Sequence, residues 1–313
     1  MNKTVDIVLA TYNGERFLDA FIQSLQQQDF AQWTLLVSDD GSQDQTVPML
    51  HAWAAAEPRI RIVNLERQGG VAANFSKAME YSNADYILFA DQDDIWLPNK
   101  VSELVTATAE AEGDKSDTPV LVFSDLTIVT ENLTEISPSL YRYRNLDPMR
   151  NLHADYLLWF SSVYGCSVGF NRALAKLATP VPCSAIMHDQ WFALQAALHG
   201  RIVYLDRSFV LYRQHSNNDM GAMLTNPIQK IRRFSWYWRR ITNRAIRVKQ
   251  QLAELGRRDS DREAMRQKNL LVATDLVGRL KFIARYVLPY AKGQVPFSLT
   301  FALAFLLSAR SPH

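Results

Sequence analysis

Tyr86-Ile-Leu-Phe-Ala-Asp-Gln-Asp-Asp-Ile-Trp-Leu-Pro98 is the stretch on which the reading of this chain turns. Tyr86 to Ala90 is an apolar run with no helical period, the pattern of a strand buried on both faces. Asp91, Asp93 and Asp94 follow at once, and a helix begins near Pro98. Carboxylates are costly to crowd unless a cation or a hydrogen-bond network compensates them. Strand ends in α/β sheets are also where such folds bind ligands. Hard oxygen donors at this density suit Mg²⁺ or Mn²⁺, and Mg²⁺ commonly shares its shell with substrate phosphates. The stretch therefore points to a metal–diphosphate site. The plainer reading is an acidic turn at a helix N-terminus.

Strands and helices alternate around it. Val5–Ala10, Trp33–Ser38, Ile60–Leu65, Asp85–Ala90, Pro119–Phe123 and Ile202–Leu205 read as strands. Gly14–Gln28, Thr46–Ala56, Ala72–Tyr81, Leu97–Glu112 and Ile186–His199 carry helical patterns. Such β-α-β-α order predicts an α/β fold, a mostly parallel sheet flanked by helices. Three strands end in polar or acidic segments: Thr11-Tyr-Asn-Gly14, Asp39-Asp-Gly-Ser42 and Asp91–Asp94. Carboxyl ends of parallel strands share one edge, so these segments should converge on one crevice. No Gly-x-Gly-x-x-Gly follows the first strand and no Gly-Lys-Ser/Thr occurs, which takes most of the support from the dinucleotide dehydrogenase and P-loop NTPase readings. Residues 124–185 give no clear pattern. The small-residue segment Gly165–Gly169 admits a close-approaching ligand or simply turns the chain. Tyr212–Asp219 reads as a polar loop.

A chain of 313 residues can bury a large core. Its net charge of +2 hides an asymmetry: residues 228–313 sum to +13 and residues 1–227 to −11. That split predicts a main body and a basic tail that meets something anionic. Cys166 and Cys183 lack metal-ligand spacing and fit a reducing cytosol, with a single disulfide left open. The N-terminus lacks a signal-peptide apolar region, and no apolar stretch reaches the ~18 residues of a membrane span.

Val5–Asn13, Val37–Ser42, Asp91–Pro98, His188–Trp191 and Tyr212–Asn218 together resemble the inverting family 2 glycosyltransferases of GT-A fold, above all bacterial rhamnosyltransferase-like members of surface-polysaccharide assembly. The likeness covers residues 3–220. It implies a catalytic domain over 1–220 and leaves 221–313 as a helical basic extension. Carried over, it implies that Thr11, Tyr12, Asn13, Glu15, Asp40 and Asp91 bind the nucleotide-sugar. Tyr12 would lie along the base, Asp40 would hydrogen-bond it, and Asp91 would face the ribose or support the metal. Asp93 would be the direct ligand of Mg²⁺ or Mn²⁺, with His215 beside the metal or diphosphate. Asp189 matches the catalytic base. The family's usual Glu-Asp is His188-Asp189 here, which keeps the base but removes a neighbouring carboxylate.

The chemistry fits that division of labour. A nucleoside diphosphate leaving group needs charge neutralisation rather than the acid a glycosidase supplies. One carboxylate on the other face of the sugar then activates the acceptor hydroxyl, inverting the anomeric centre. Arg67 and Arg213 are candidates to stabilise the diphosphate, or are surface or ion-pair residues. The implied partners are a nucleotide-sugar donor and a lipid-linked or glycan acceptor.

Ile228–Leu255 sets Lys230, Arg232, Arg233, Arg239, Arg240, Arg244, Arg247 and Lys249 among Phe234, Trp236, Tyr237 and Trp238. That mixture predicts a helix in a membrane interface, against the alternative of a helix packed on the catalytic domain. Val295–Leu307 is an apolar run too short to span but able to dip into the interface. A peripheral position on the cytoplasmic face of the inner membrane follows. Basic residues with aromatics also suit nucleic acid, but the acidic main body and the lack of a nucleic-acid motif speak against it. Nucleotidyltransferase is the competing enzyme class, although Thr11–Glu15 is neither glycine-rich nor basic. A non-catalytic nucleotide-sugar-binding protein is the third class.

Overall fold

The computed structural model describes residues 3–114, 117–215, 234–270, 275–290 and 295–308. Strands β1 (Val5–Thr11), β2 (Trp33–Asp39), β3 (Ile60–Asn64) and β4 (Tyr86–Asp91) lie in the order β3-β2-β1-β4, all parallel. Ile7, Val8, Leu9, Leu35, Leu36, Val37 and Ile87–Ala90 are buried, as expected for strands covered on both faces. Three helices make the crossovers: α1 (Leu18–Gln26), α2 (Thr46–Ala56) and α3 (Val71–Met79). On α1, Leu18, Phe21, Ile22 and Leu25 form the buried face at helical spacing.

The register aligns the strand ends. Thr11 pairs with Asp39, and Ala10 with Asp91. The strand order reverses at β1, which has β2 on one side and β4 on the other, so a crevice opens between the β1 and β4 ends.

Beyond β4 the sheet is mixed. It contains β5 (Ile95–Trp96), β6 (Val120–Thr130), β7 (Glu135–Ser137), β8 (Val168–Asn171) and β9 (Arg201–Gln214), with α4 (Lys100–Glu112) between β5 and β6. β8 runs antiparallel between β4 and β6, β9 is parallel to β6, and β5 pairs antiparallel to β9. Residues 124–185 also supply short helices α5 (Leu140–Tyr143) and α6 (Ala154–Leu157), then α7 (Arg172–Ala178). α8 (His188–His199) is buried almost all round.

β9 corrects the loop expected over Tyr212–Asp219. The strand continues past Leu205, and Tyr212, Arg213 and Gln214 belong to it. The exposed polar residues Asp206 and Arg207, which break the pattern in the sequence, sit where the β6–β9 register shifts at Asp125. Ser216–Asp219 lie outside the described residues.

The C-terminal region is helical: α9 (Phe234–Arg257), α10 (Asp259–Gln267), α11 (Leu276–Phe282) and α12 (Val295–Leu307). α9 buries Ile241, Ala245, Val248, Leu252 and Leu255, a single stripe. Four of these are large aliphatics, worth about 1.5–3 kcal/mol each when buried. The Gln251 side-chain oxygen accepts from the Ile186 amide at 3.1 Å, and Arg247 donates to the Ile186 carbonyl at 3.1 Å. The described part of α9 therefore packs one face on the rest of the chain, the alternative given above for this segment. Lys230, Arg232, Arg233 and the side chains of Phe234, Trp236 and Tyr237 lie outside the described residues. Both cysteines are free thiols, Cys166 buried and Cys183 exposed. No described helix is long and apolar enough to cross a membrane.

Candidate active site

A cavity of about 770 Å³ opens over the β1 and β4 ends, lined by Tyr12, Asp40, Asp91, Asp93, Asp189 and His215 among others. Its first wall is built at β1 and β2. The Thr11 hydroxyl donates to Asp39 Oδ2 at 2.7 Å, and Asp39 also accepts from the Ser42 amide and hydroxyl at 2.7 and 2.6 Å. Asn74 of α3 joins the two strand ends, donating to the Thr11 and Ser38 carbonyls at 3.2 and 2.9 Å. Asp39 and Asn74 are the residues sequence reasoning missed here. Asp39 stood in a motif already noticed, whereas nothing local marks Asn74.

Tyr12 is half exposed and lines the cavity, so its ring is free to meet a base. Its amide donates to Gln92 Oε1 at 3.1 Å, and Gln92 Nε2 donates back to the Tyr12 carbonyl at 3.0 Å. The Asn13 amide donates to the Ser42 hydroxyl at 2.8 Å, and its side-chain oxygen accepts from the Gln43 amide at 2.9 Å. Asp40 accepts from the amides of Gln68, Gly69 (2.9 Å) and Gly70 (3.0 Å). Gly69 and Gly70 have φ of 85° and 142°, which lets successive amides turn toward one carboxylate. A carboxylate offers about four acceptor positions, so roughly one remains for a ligand. Glu15 corrects its expected role. It does not line the cavity, and its carboxylate accepts from the Gln45 amide at 2.8 Å, bracing the turn before α2.

At the β4 end, His215 Nε2 lies 2.7 Å from Asp93 Oδ2, and its ring stacks on Phe17 at 4.7 Å. The two residues are 122 apart in sequence and meet because β9 returns beside β5. Two cis donors of an octahedral Mg²⁺ with ~2.1 Å bonds lie about 3 Å apart, so this oxygen–nitrogen pair fits a divalent cation. Asp91 lines the same cavity. Burial, then the charges of Asp93 and Asp189, push its carboxyl up to about 7. Ligating oxygens of Asp91 and Asp94 also lie within 4.8 Å of the Cys166 thiol. Asp94 and Cys166 do not line the cavity, and beside them the buried Lys100 amine donates to the Cys166 carbonyl at 2.6 Å, its pKa pulled down to about 7 by burial. Unlike Asp94 and Cys166, Asp93 and His215 both line the cavity.

Arg213 faces inward. Its backbone amide donates to Asp94 at 3.1 Å, and its guanidinium donates to the Asp93 carbonyl at 2.7 Å and to the Glu131 carbonyl. It holds β9 against the acidic turn, whereas Arg67 lines the cavity beside Gly41.

Asp189 stands in the first turn of α8. It accepts from the Gln190 amide at 2.6 Å and the Gly165 amide at 3.1 Å. Burial pushes its carboxyl up to about 6 despite those bonds, which puts it in the range of a general base. His188 is buried, stacks on Phe75 at 3.9 Å, and has no hydrogen-bond partner at either ring nitrogen among the described residues. Burial pulls its pKa down to about 3, so the ring is neutral. Arg244 of α9 reaches the same wall, donating to the Trp159 carbonyl at 3.4 Å, and its charge favours the Asp189 carboxylate.

Gly165 leaves room for this pair. A Cβ there would sit 2.9 Å from His188 Nε2 and 3.8 Å from Asp189 Cβ. The ring is held between Phe75 and Phe89 and cannot swing aside cheaply. Gly165→Ala is expected to destabilise the fold by about 1–3 kcal/mol, read as a lower midpoint in urea with an unchanged slope.

A sequence model of Glycosyl transferase family 2 matches residues 6–177, more than half of the chain. The chain belongs to glycosyl transferase family 2. The matched segment ends before Asp189, so the base candidate, His215 and Arg244 all lie outside it. Among curated family relatives, the dTDP-rhamnosyl transferase RfbG of Shigella flexneri is 27% identical, covering 75% of this chain and 82% of that one. The Escherichia coli UDP-Glc:alpha-D-GlcNAc-diphosphoundecaprenol beta-1,3-glucosyltransferase WfgD is 36% identical over 97 residues, 31% of this chain and 38% of its own. Other curated matches are shorter: WfgD and the Bacillus subtilis TuaG are each matched over less than two fifths of their length. The mannosyltransferase PcManGT from Pyrobaculum calidifontis, in complex with GDP-Man and Mn²⁺, superposes with a TM-score of 0.57 at 16% identity, over 98% of this chain and 88% of that one. TarS 1–349 of S. aureus with UDP-GlcNAc superposes at 0.55 with 15% identity, over 96% and 90%. At such identities the fold is what is shared, and it is the GT-A fold expected above.

Proposed function

We propose that this chain is an inverting, metal-dependent glycosyltransferase. It moves a sugar from a nucleotide-sugar donor to a hydroxyl of a lipid-linked or polysaccharide acceptor in cell-surface glycan synthesis. One observation carries the reading. A single cavity joins the Asp93–His215 cation pair to a separate carboxylate, Asp189, whose pKa burial raises to about 6.

Asp93 and His215 would hold Mg²⁺ or Mn²⁺, which when bound supplies charge neutralisation to the departing diphosphate. Tyr12 and Asp40 hold the base, with Thr11, Asn13 and Asp91 fixing the floor beneath ribose and phosphates. Asp189 takes the proton of the acceptor hydroxyl as that oxygen attacks the anomeric carbon. Neutral His188, held between Phe75 and Phe89, is a positioning residue that packs behind Asp189. Similarity to RfbG supports dTDP-rhamnose as donor. Residues 1–220 form the catalytic domain and 221–313 the basic extension, and Arg244 makes that extension part of the cavity wall. The acceptor chemistry supports a peripheral position on the cytoplasmic face of the inner membrane.

The test is nucleoside diphosphate release from dTDP-rhamnose, UDP-glucose, UDP-galactose, UDP-N-acetylglucosamine and GDP-mannose, with Mg²⁺ or Mn²⁺, lipid extract and chelator controls. Metal-dependent release from one donor is the expected result. Pyrophosphate release would mean nucleotidyl transfer. Silence together with tight nucleotide-sugar binding by calorimetry would mean a non-catalytic binder.

A further inference from the structure

Helices α11 and α12 keep their aromatic side chains inward and leave an aliphatic face outward. Phe282 stacks on Phe305 at 5.2 Å, and Phe301 packs against Trp159 at 5.4 Å. On the other side Leu276, Val277, Leu280, Leu299, Leu303 and Leu307 are each between 48% and 69% exposed. Leu299, Leu303 and Leu307 recur every four residues, so they form one stripe along α12. A helix apolar all round is normally covered, by protein or by lipid. At ~1.5 Å per residue α12 is about 20 Å long, short of a ~30 Å bilayer core, so it suits the plane of an interface rather than a span.

Charge selects the cover. Among described residues 275–308 the one carboxylate is Asp275, and it caps α11 by accepting from the Gly278 amide at 2.6 Å. Lys281 and Arg285 are exposed, and no carboxylate pairs with either among the described residues. A second copy docking through the same face would set these cations against their own kind. An anionic bilayer would neutralise them while taking up the leucines.

We propose that the outer face of α11 and α12 docks on an anionic bilayer and holds the chain at a membrane. The proposal rests on the peripheral-membrane reading above and names its surface. One helix links this face to the cavity. The Lys249 ammonium of α9 donates to the Ser308 carbonyl at 2.8 Å, just past the end of α12, and Arg244 of the same α9 lines the cavity. Lipid on the outer face of α12 would lie about one helix diameter, ~10–12 Å, from Trp159, against which the inner face of α12 packs.

The experiment is flotation of the full chain with phosphatidylglycerol–phosphatidylcholine vesicles and with pure phosphatidylcholine vesicles, at low and high salt. Wild type is expected to float with the anionic vesicles. The triple variant Leu299→Glu, Leu303→Glu, Leu307→Glu is expected to lose at least about tenfold in partitioning, with circular dichroism and nucleotide binding unchanged. Lys281→Glu with Arg285→Glu should remove the preference for anionic lipid at low salt. Wild type that stays with the soluble fraction at low salt would overturn the proposal. So would a triple variant that floats like wild type, or one whose only change is from dimer to monomer. Flotation needs no sugar transfer, so a silent transfer assay leaves this result standing, and the reverse also holds.

Discussion

Asp189→Asn is expected to lower sugar transfer by about 10²–10⁴-fold, the usual worth of a positioned general base. Nucleotide affinity should stay near wild type, because among the described residues the Asp189 side chain hydrogen-bonds the Gln190 and Gly165 amides and none of Tyr12, Asp40, Asp93 or His215. Asn retains an oxygen for one of those amides, so the start of α8 should hold. The wild-type pH profile is the second arm. Burial raises the Asp189 carboxyl to about 6, and only its ionised form accepts a proton. The rate should therefore climb with pH up to about 6 and level off above it. In the Asn variant that limb should vanish. Normal turnover in the variant would show that the base lies elsewhere.

Asp93→Ala is the other change with a large expected effect. It removes the proposed carboxylate ligand and its 2.7 Å contact with His215 Nε2. Metal-dependent binding of a nucleoside diphosphate should fall at least about 100-fold, to the level seen with chelator. The fold should survive, because the bonds that tie the acidic turn to β9 use the Asp93 carbonyl and the Asp94 carboxylate, not the Asp93 side chain. Calorimetric titration with Mn²⁺ reads both quantities. Unchanged metal dependence would move the cation to the buried Asp91, Asp94 and Cys166 group.

Much of the catalytic half was legible in the chain. Tyr86–Ala90 and Val5–Ala10 are apolar without helical period, and both are central strands covered on both faces. Where the strands are parallel and their ends share an edge, polar residues just past them must converge, so Tyr12, Asp40, Asp91 and Asp93 could be placed together before any contact was known. Asp189 came from likeness to a family motif rather than from spacing, and it lines the cavity.

The roles that depend on a partner far away were not legible. Glu15 and Asp40 are both acidic and both near strand ends, yet one braces a turn and the other faces the cavity. Arg213 looked available to phosphate but is used up on Asp93, Asp94 and Glu131. The basic aromatic segment looked like an interfacial helix, but its described part buries Ile241, Val248, Leu252 and Leu255, while leucines of two quieter helices stay bare.

By itself the sequence determined the order of the elements, the parallel half of the sheet and the edge on which its acidic residues gather. Periodicity settles those, because it states which face of each segment must leave water. Only the tertiary structure decided what covers each face and which side chains meet. His215 reaches Asp93 through a strand return 122 residues later, and Arg244 enters the cavity from a helix beyond the family match. Such pairings are set by packing between distant segments, and the residues on either side of them carry no local trace of the partner.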